Sequence, residues 1–258
     1  MTVTPQYQDP AQLGIKVAGS ALPLLIGLDI DGVLSPLVDH ADDARLLDGV
    51  ADVLTRLVAA DHVLVAAVSG RAVASMQTFG LPPDVRLIGS HGMEEAGRPF
   101  EPLDDMERER LNRLIELASA AAIAGGDGAW VEHKQASVAV HIRKADEALG
   151  AAALATLALA TQGVDGASAK AGSNVLELFT RHASKGMAVE RLRNESRPRT
   201  TMFVGDDLTD EEAFAALGEA DITIKVGPAP TIAEFRLPGP ESVLEFLGSL
   251  ADCLCEPA

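Results

Sequence analysis

The sequence predicts an α/β fold: a Rossmann-like parallel sheet interrupted by a smaller α/β segment. Three observations carry this expectation. Apolar runs of strand length recur along the chain, each closed by a small or acidic turn, and helical patterns separate them, as in a buried parallel sheet. The polar residues with chemical potential follow the C-terminal ends of these runs, where open α/β sheets bind their ligands. The middle of the chain changes pattern to helix, two short strands, helix, two short strands, which suits a small antiparallel sheet under two helices.

Residues 1–20 carry no such pattern and read as a loose tail. Leu24-Leu-Ile-Gly-Leu28 is the first strand and runs into Asp29-Ile-Asp-Gly-Val33. His62–Val68 is the second, ending at Ser69-Gly-Arg71, and Arg86–Gly89 is a further short strand. A helix over 104–124 follows, with Leu111, Leu114, Ile115 and Ala118 on one stripe and Gly125-Gly-Asp-Gly128 as its stop. Trp130–Lys134 and Ser137–Arg143 read as strands, the latter alternating Val138, Val140 and Ile142 against Ala139, His141 and Arg143. An Ala-rich helix fills 145–162, and strands over 167–171 and 174–179 complete this block. Thr201–Val204, leading into Gly205-Asp-Asp207, and Ile222–Val226, ending at Gly227-Pro228, return to the parallel pattern. The expected division is a core of 21–94 and 181–258 with a domain of 95–180 inserted.

Composition excludes several function classes. The chain has 258 residues, 47% hydrophobic and 23% charged, enough apolar material for a sizeable core. Aromatics are only 3%, which argues against a base-stacking surface for single-stranded nucleic acid. Asp plus Glu number 38 against 21 Lys plus Arg, a formal charge of −17 that disfavours nucleic acid and anionic membranes. A small anionic substrate stays possible if the site carries local positive charge or a metal. Cys253 and Cys255 fall short of a disulfide framework or a zinc site, so a reducing, cytoplasmic setting is expected. The early apolar run 21–28 is too short to span a membrane, and no secretory pattern opens the sequence. The expected partner is a small molecule, bound by a monomer.

Asp29-x-Asp31 closes the first strand. A polar turn would explain it, but two such carboxylates can also divide labour, one attacking phosphorus while the other handles a proton. In Gly205-Asp-Asp-Leu-Thr-Asp-Glu-Glu212, Thr209 and Glu212 have capping-box spacing, and Asp210 and Glu211 suit a helix N-terminus. Asp206 and Asp207 remain unexplained. Beside the Asp29 pair they would repel it unless a hard cation intervened, and Mg²⁺ suits such a set. Ser69-Gly70-Arg71 is either an N-capped turn or an anion site of hydroxyl and free backbone N–H groups. Lys185 sits at a helix start, where a cation is disfavoured unless it neutralises a bound phosphate. Glu132 and Lys134 share one strand face. Glu177 shares its own with Val175 and Phe179, an odd place for a charge unless it points into a cleft or guards an exposed edge.

In this order, the Asp29 motif, Ser69-Gly-Arg71, Ser184-Lys-Gly186 and Gly205–Phe214 resemble the haloacid-dehalogenase-like phosphohydrolases. Narrower features are similar to the trehalose-6-phosphate phosphatase family: Leu28–Pro36, Gly89-Ser-His-Gly92, Glu132-His-Lys134 before Val138–Arg143, Gly172 and Glu177, and Gly205–Glu211. The resemblance covers about 22–250; Val33 departs from it, since the family more often has Thr there. It implies a haloacid-dehalogenase core with a C2B-like cap. It implies Mg²⁺-dependent hydrolysis of trehalose 6-phosphate, the last step of trehalose biosynthesis, through a phospho-aspartyl enzyme. Asp29 would be the nucleophile and a metal ligand. Asp31 would be the general acid and base and give a backbone carbonyl to the metal. Asp206 would be the remaining ligand, with Asp207 and Asp210 in support. Ser69, Gly70, Arg71 and Lys185 would hold the phosphate, and Glu132, Lys134 and Glu177 would grip sugar hydroxyls. His91 and Arg143 are further candidates. Rival readings are a phosphatase for sucrose phosphate or mannosylphosphoglycerate, and a non-catalytic sugar-phosphate-binding domain.

Overall fold

The computed structural model describes residues 5–38 and 43–255. The chain divides into two compact units, Met1–Phe100 with Ser184–Ala258, and Glu101–Ala183. The first unit begins with α1 (Pro10–Ala18), β1 (Leu24–Leu28), α2 (Val50–Ala59), β2 (Val63–Val68), the short α3 (Val73–Met76), β3 (Arg86–Gly89) and β4 (Glu94–Glu95). The second unit comprises α4 (Asp105–Gly125), β5 (Trp130–His133), β6 (Ser137–His141), α5 (Glu147–Thr161), β7 (Ser168–Gly172) and β8 (Val175–Phe179). The first unit resumes with α6 (Lys185–Ser196), β9 (Thr200–Gly205), α7 (Asp210–Ala215), β10 (Ile222–Val226), β11 (Phe235–Leu237) and α8 (Pro240–Cys255).

The sheet of the first unit has the order β11-β10-β9-β1-β2-β3-β4. It is parallel except for β4, which runs antiparallel to β3. From central β1 the chain proceeds outward to β2 and β3, then later returns to the other side of β1 as β9. That reversal makes the C-terminal ends of β1 and β9 the switch point at which such sheets open a crevice. Both faces are buried, which is why these strands read as continuous apolar runs. Leu24, Ile26 and Leu28 join the cluster that includes Leu13, Leu54 and Phe246 of α1, α2 and α8. Leu25, Val68 and Phe203 pack with Val189 and Leu192 of α6 and Phe214 of α7. Each fully buried Leu or Ile contributes roughly 1.5–3 kcal/mol, so this sandwich is the main source of rigidity beneath the site.

Of the loose tail expected over 1–20, residues 1–4 lie outside the described residues, and α1 corrects the expectation over Pro10–Ala18. Asp9 caps this helix, accepting the Gln12 N–H at 2.8 Å, and Pro10 occupies its first turn. Leu13 and Val17 are buried. The crossing with α8 is so close that a Cβ on Gly14 would come within 2.8 Å of the Phe246 carbonyl oxygen. The Asp-Pro start and the Leu13/Val17 spacing were visible in the sequence, but a nine-residue helix declares itself only against a partner. The seams also differ from the expected 94/95 and 180/181. Glu94 and Glu95 pair with Gly89 and Ile88, which ties β4 to the first unit.

The second unit's sheet is antiparallel, in the order β5-β6-β8-β7. Asp104 and Glu107 form a complete capping box at the start of α4, with bonds of 2.7 and 3.0 Å. Leu114 and Ala118 of α4 and Leu157 of α5 pack on Val138, Val140, Leu176 and Leu178, covering one sheet face. Strand alternation then puts Trp130, Glu132, Ala139, His141 and Glu177 on the opposite face. Among the described residues no helix is long and apolar enough to cross a membrane.

Candidate active site

Where β1 ends, the Asp29 N–H donates to the Val204 carbonyl at 3.0 Å, continuing the pairing with β9. The chain then turns sharply: the N–H groups of Leu34 and Ser35 both donate to the Ile30 carbonyl at 2.9 Å. Gly32 adopts φ +73°, and a Cβ there would overlap the Asp206 carboxylate, so the last residue of the Asp-x-Asp-Gly turn has to be glycine. Asp29 is buried. Its Oδ1 accepts the Ile30 N–H at 2.7 Å and its Oδ2 accepts from Lys185 Nζ at 2.6 Å.

Lys185 is the first residue of α6, which Ser184 caps by accepting the Met187 N–H at 3.0 Å. Its ammonium reaches Asp29, Asp210 Oδ1 at 2.7 Å and Asp207 Oδ1 at 3.8 Å. Burial works against this charge, but Asp210, Asp29 and Asp207 hold the lysine well above its usual pKa. Asp210 is fully buried, and its Oδ2 accepts the N–H groups of Asp206 and Asp207 at 2.8 and 3.0 Å. The capping box expected from Thr209 and Glu212 does not form. Thr209 is itself helical in backbone and caps nothing with its side chain. Asp207 Oδ1 takes that part, accepting from the Thr209 N–H and the Asp210 N–H at 2.8 and 3.1 Å. An aspartate two residues before the expected cap outcompetes the threonine because it carries full charge.

Burial and neighbouring carboxylates shape the electrostatics. Burial pushes the Asp29 and Asp210 carboxyls up, against the pull of Lys185. Asp206 is pushed up to about 7 by burial and then by Asp210 and Asp207. Burial also acts on Asp207, but Lys185 and the bonds from Thr209 and Asp210 bring it down to about 2. Oxygens of Asp29, Asp207 and Asp210 lie within 4.8 Å of one another, close enough to share a cation, and the Lys185 ammonium pairs with all three. The Asp206 carboxylate lies against Gly32 and accepts no hydrogen bond among the described residues. A largely buried carboxylate without a donor, beside a cluster with more negative charge than Lys185 offsets, fits a hard cation bound by oxygen.

The third expected group follows β2. Ser69 is buried, and its Oγ accepts the Arg71 N–H at 3.3 Å. Helix α3 starts only at Val73, so Ser69 is no N-cap. The 89–94 segment braces this turn: the Ser90 N–H donates to the Arg71 carbonyl at 2.7 Å and the His91 N–H to the Ser69 carbonyl at 3.0 Å. Ser90 and His91 both have left-handed backbone, φ +49° and +55°, a strain that such bracing must hold. The His91 ring lies on Gly70, where a Cβ would come within 2.8 Å of it. His91, a sequence candidate, therefore belongs to the wall of the phosphate-loop candidate. Arg71 pairs with Asp31 through two bonds of 2.6 and 2.7 Å, and its guanidinium stands 4.9 Å above the Phe79 ring. The two had been expected to serve different partners.

Lys225 was missed in the sequence. It is buried at the end of β10, beside Gly205 in register. Its Nζ donates to the Asp207 carbonyl at 3.0 Å and pairs with Glu211 at 3.4 Å. A lysine inside the apolar run Ile222-Thr-Ile-Lys-Val226 was the available signal.

In the second unit Glu132, Ala139, Glu177 and Lys170 form one row across the four strands. Lys134 Nζ donates to Glu177 Oε2 at 2.9 Å, and Ser137 Oγ donates to Oε1 at 2.6 Å. Glu132 accepts from His141 at 2.8 Å, a contact that, ahead of the opposing effect of burial, lowers its pKa. Arg143 lies beyond β6 and is exposed.

The strand order, the acidic turn after β1 and the lysine heading α6 define a haloacid-dehalogenase-like α/β core. A family model described as Trehalose-phosphatase matches residues 27–241. The chain therefore belongs to the trehalose-phosphatase family. It is 30% identical to a trehalose-6-phosphate phosphatase of Escherichia coli, over 88% of this chain and 86% of that one. It is 34% identical to an uncharacterized glycosyl hydrolase of Mycobacterium tuberculosis, over 87% of this chain, and spans only 18% of that protein's length. The fold matches the C-terminal domain of a C. albicans trehalose-6-phosphate phosphatase with a TM-score of 0.83 at 24% identity, covering 97% and 99% of the two chains.

Proposed function

We propose that this protein hydrolyses trehalose 6-phosphate to trehalose and phosphate, with Mg²⁺, through a phospho-aspartyl intermediate. The observation that carries the reading is the Asp29 carboxylate, buried at the switch point between a backbone N–H and the Lys185 ammonium. Asp29 attacks phosphorus, and the bond from phosphorus to the sugar oxygen breaks. Asp31 gives that oxygen its proton. In the second half Asp31 takes a proton from water, the water oxygen bonds to phosphorus, and the Asp29–phosphorus bond breaks to release phosphate. The Asp31–Arg71 ion pair has to open for either transfer, so Arg71 turns to the incoming phosphate. Ser69, the Gly70 N–H and Lys185 hold the phosphoryl oxygens, where negative charge spreads. The metal would be held by Asp29, the Asp31 carbonyl and Asp206, and when bound it would supply the positive charge that lets an anion approach these carboxylates. Glu132, Lys134 and Glu177 would read the sugar. Phosphate release from a panel of sugar phosphates tests the proposal. Preference for trehalose 6-phosphate is expected. Equal or better turnover of sucrose phosphate or mannosylphosphoglycerate would assign the chain to a rival, and no turnover of any would leave the binding-domain reading.

A further inference from the structure

Trp130 is the chain's one tryptophan and is 48% exposed. It stands on β5 directly opposite His141 of β6. The two rings stack with centroids 4.1 Å apart and planes 6° from parallel. The edge of the same imidazole meets Glu132, Nε2 to Oε2 at 2.8 Å. His141 is thus held on one face by an indole and tied at one edge to a carboxylate. The carboxylates of the second unit's polar row differ in what they have left to offer. Both oxygens of Glu177 are engaged, one by Lys134 and one by Ser137. Glu132 uses only Oε2, and Oε1 accepts no hydrogen bond among the described residues.

We propose that the Trp130–His141 stack fixes Glu132 so that its Oε1 accepts a hydroxyl of the sugar, which makes Trp130 and His141 positioning residues for substrate selection. The inference rests on the sugar-phosphate reading above and assigns its distal recognition to a definite oxygen. A glutamate on an unsupported strand face has several rotamers, and ligand binding would have to freeze them. Here the ring stack restricts His141, and His141 restricts Glu132, before the sugar arrives. Immobilising one such side chain is worth about three- to tenfold in affinity. The alternative is a stack that merely stabilises the β5–β6 hairpin, as cross-strand aromatic pairs do. It predicts a lower melting temperature and equal effects on all substrates.

The test compares Trp130→Ala, Trp130→Phe and His141→Ala with the wild type, on trehalose 6-phosphate and on p-nitrophenyl phosphate, with melting temperatures alongside. In the two Ala variants KM for trehalose 6-phosphate should rise about three- to tenfold with kcat little changed, and the ratio of kcat/KM between the two substrates should fall by the same factor. Trp130→Phe retains an aromatic face and should recover most of the loss. In an Asp29→Asn background, saturating trehalose 6-phosphate should change the emission of the lone tryptophan. The proposal is overturned by unchanged KM in both Ala variants, by equal losses on both substrates, by a Phe variant as impaired as the Ala variant, or by flat emission. If the wild type turns over p-nitrophenyl phosphate but not trehalose 6-phosphate, the functional reading itself fails and takes this one with it.

Discussion

The acidic cluster of the first unit and the polar row of the second are both built from carboxylates and lysines, but they are held by different means. Around Asp29 and Asp210 the backbone shares the holding with a single buried lysine, Lys185. N–H groups of Ile30, Asp206 and Asp207 are aimed at carboxylate oxygens, and Gly32 lets one loop lie against another. In the second unit Glu132, Lys134 and Glu177 are held by other side chains: His141, Ser137 and each other. A backbone frame suits chemistry that tolerates little displacement, and a side-chain frame suits recognition, which can be retuned residue by residue. The contrast predicts all-or-none effects in the first unit and graded ones in the second.

The largest effect is expected at Asp29. Asp29→Asn keeps the shape and removes the attacking charge, so turnover should fall by more than about a thousandfold, over ~4 kcal/mol of barrier. The variant should still fold, because relieving one buried carboxylate does not disturb the apolar sandwich. Retention of a tenth of wild-type kcat would break the covalent scheme.

A second effect is electrostatic. Asp206 is raised to about 7, and burial raises Asp29 and Asp210 as well. A carboxyl with a folded pKa above its unfolded value takes up a proton on folding, so its contribution favours the fold at low pH and is lost as pH rises through the folded pKa. Asp207, held at about 2, adds no slope in that window. Protein treated with EDTA should therefore lose stability as pH rises from about 4 to about 7, and Mg²⁺ should raise Tm more at the upper end. A metal effect on Tm that is equal at both ends would remove the cluster as the binding site.

Effects in the second unit should be smaller and selective. Ala at Glu132 or Lys134 should lower kcat/KM for trehalose 6-phosphate by roughly ten- to a hundredfold, the worth of a charged hydrogen bond, and Ala at Glu177, whose oxygens hold Lys134 and Ser137, should do so by releasing Lys134, all three sparing p-nitrophenyl phosphate. Among these, Glu177→Ala should also lower Tm, since it strips Lys134 of its counter-charge. Equal loss on both substrates would erase the distinction between the two frames. The smallest effect is expected at Thr209, whose hydroxyl serves only Asp207: Thr209→Ala should cost under about 1 kcal/mol in thermal or urea unfolding, less than Asp207→Ala. The reverse order would restore the threonine cap.

Much of the candidate site was legible because its residues lie in short runs that end strands. Asp29, Asp31, Ser69, Arg71, Asp206 and Lys185 all announced themselves by sitting where an apolar run stops or a helix begins. The pairing of Arg71 with Asp31 was not legible, since forty positions separate them and nothing local distinguishes a guanidinium aimed at substrate from one aimed at a carboxylate. Lys225 was hidden because a single charge in an apolar run has no periodicity. Its meaning comes from the register that sets it beside Gly205. Helix α1 was hidden because short helices gain their stability from packing, and its partner α8 lies at the opposite end of the chain.

The sequence alone determined the α/β class, most of the strands and the polar residues that close them, since hydrophobic period and turn residues are local properties. The tertiary structure decided which carboxylate meets Lys185, which caps a helix and which is left without a donor. Those choices depend on strand order and register, which bring together residues from β1, β9, β10 and α6 at distances of a few ångströms. In a buried cluster a shift of that size decides whether a charge is paired, hydrogen-bonded or left for a cation.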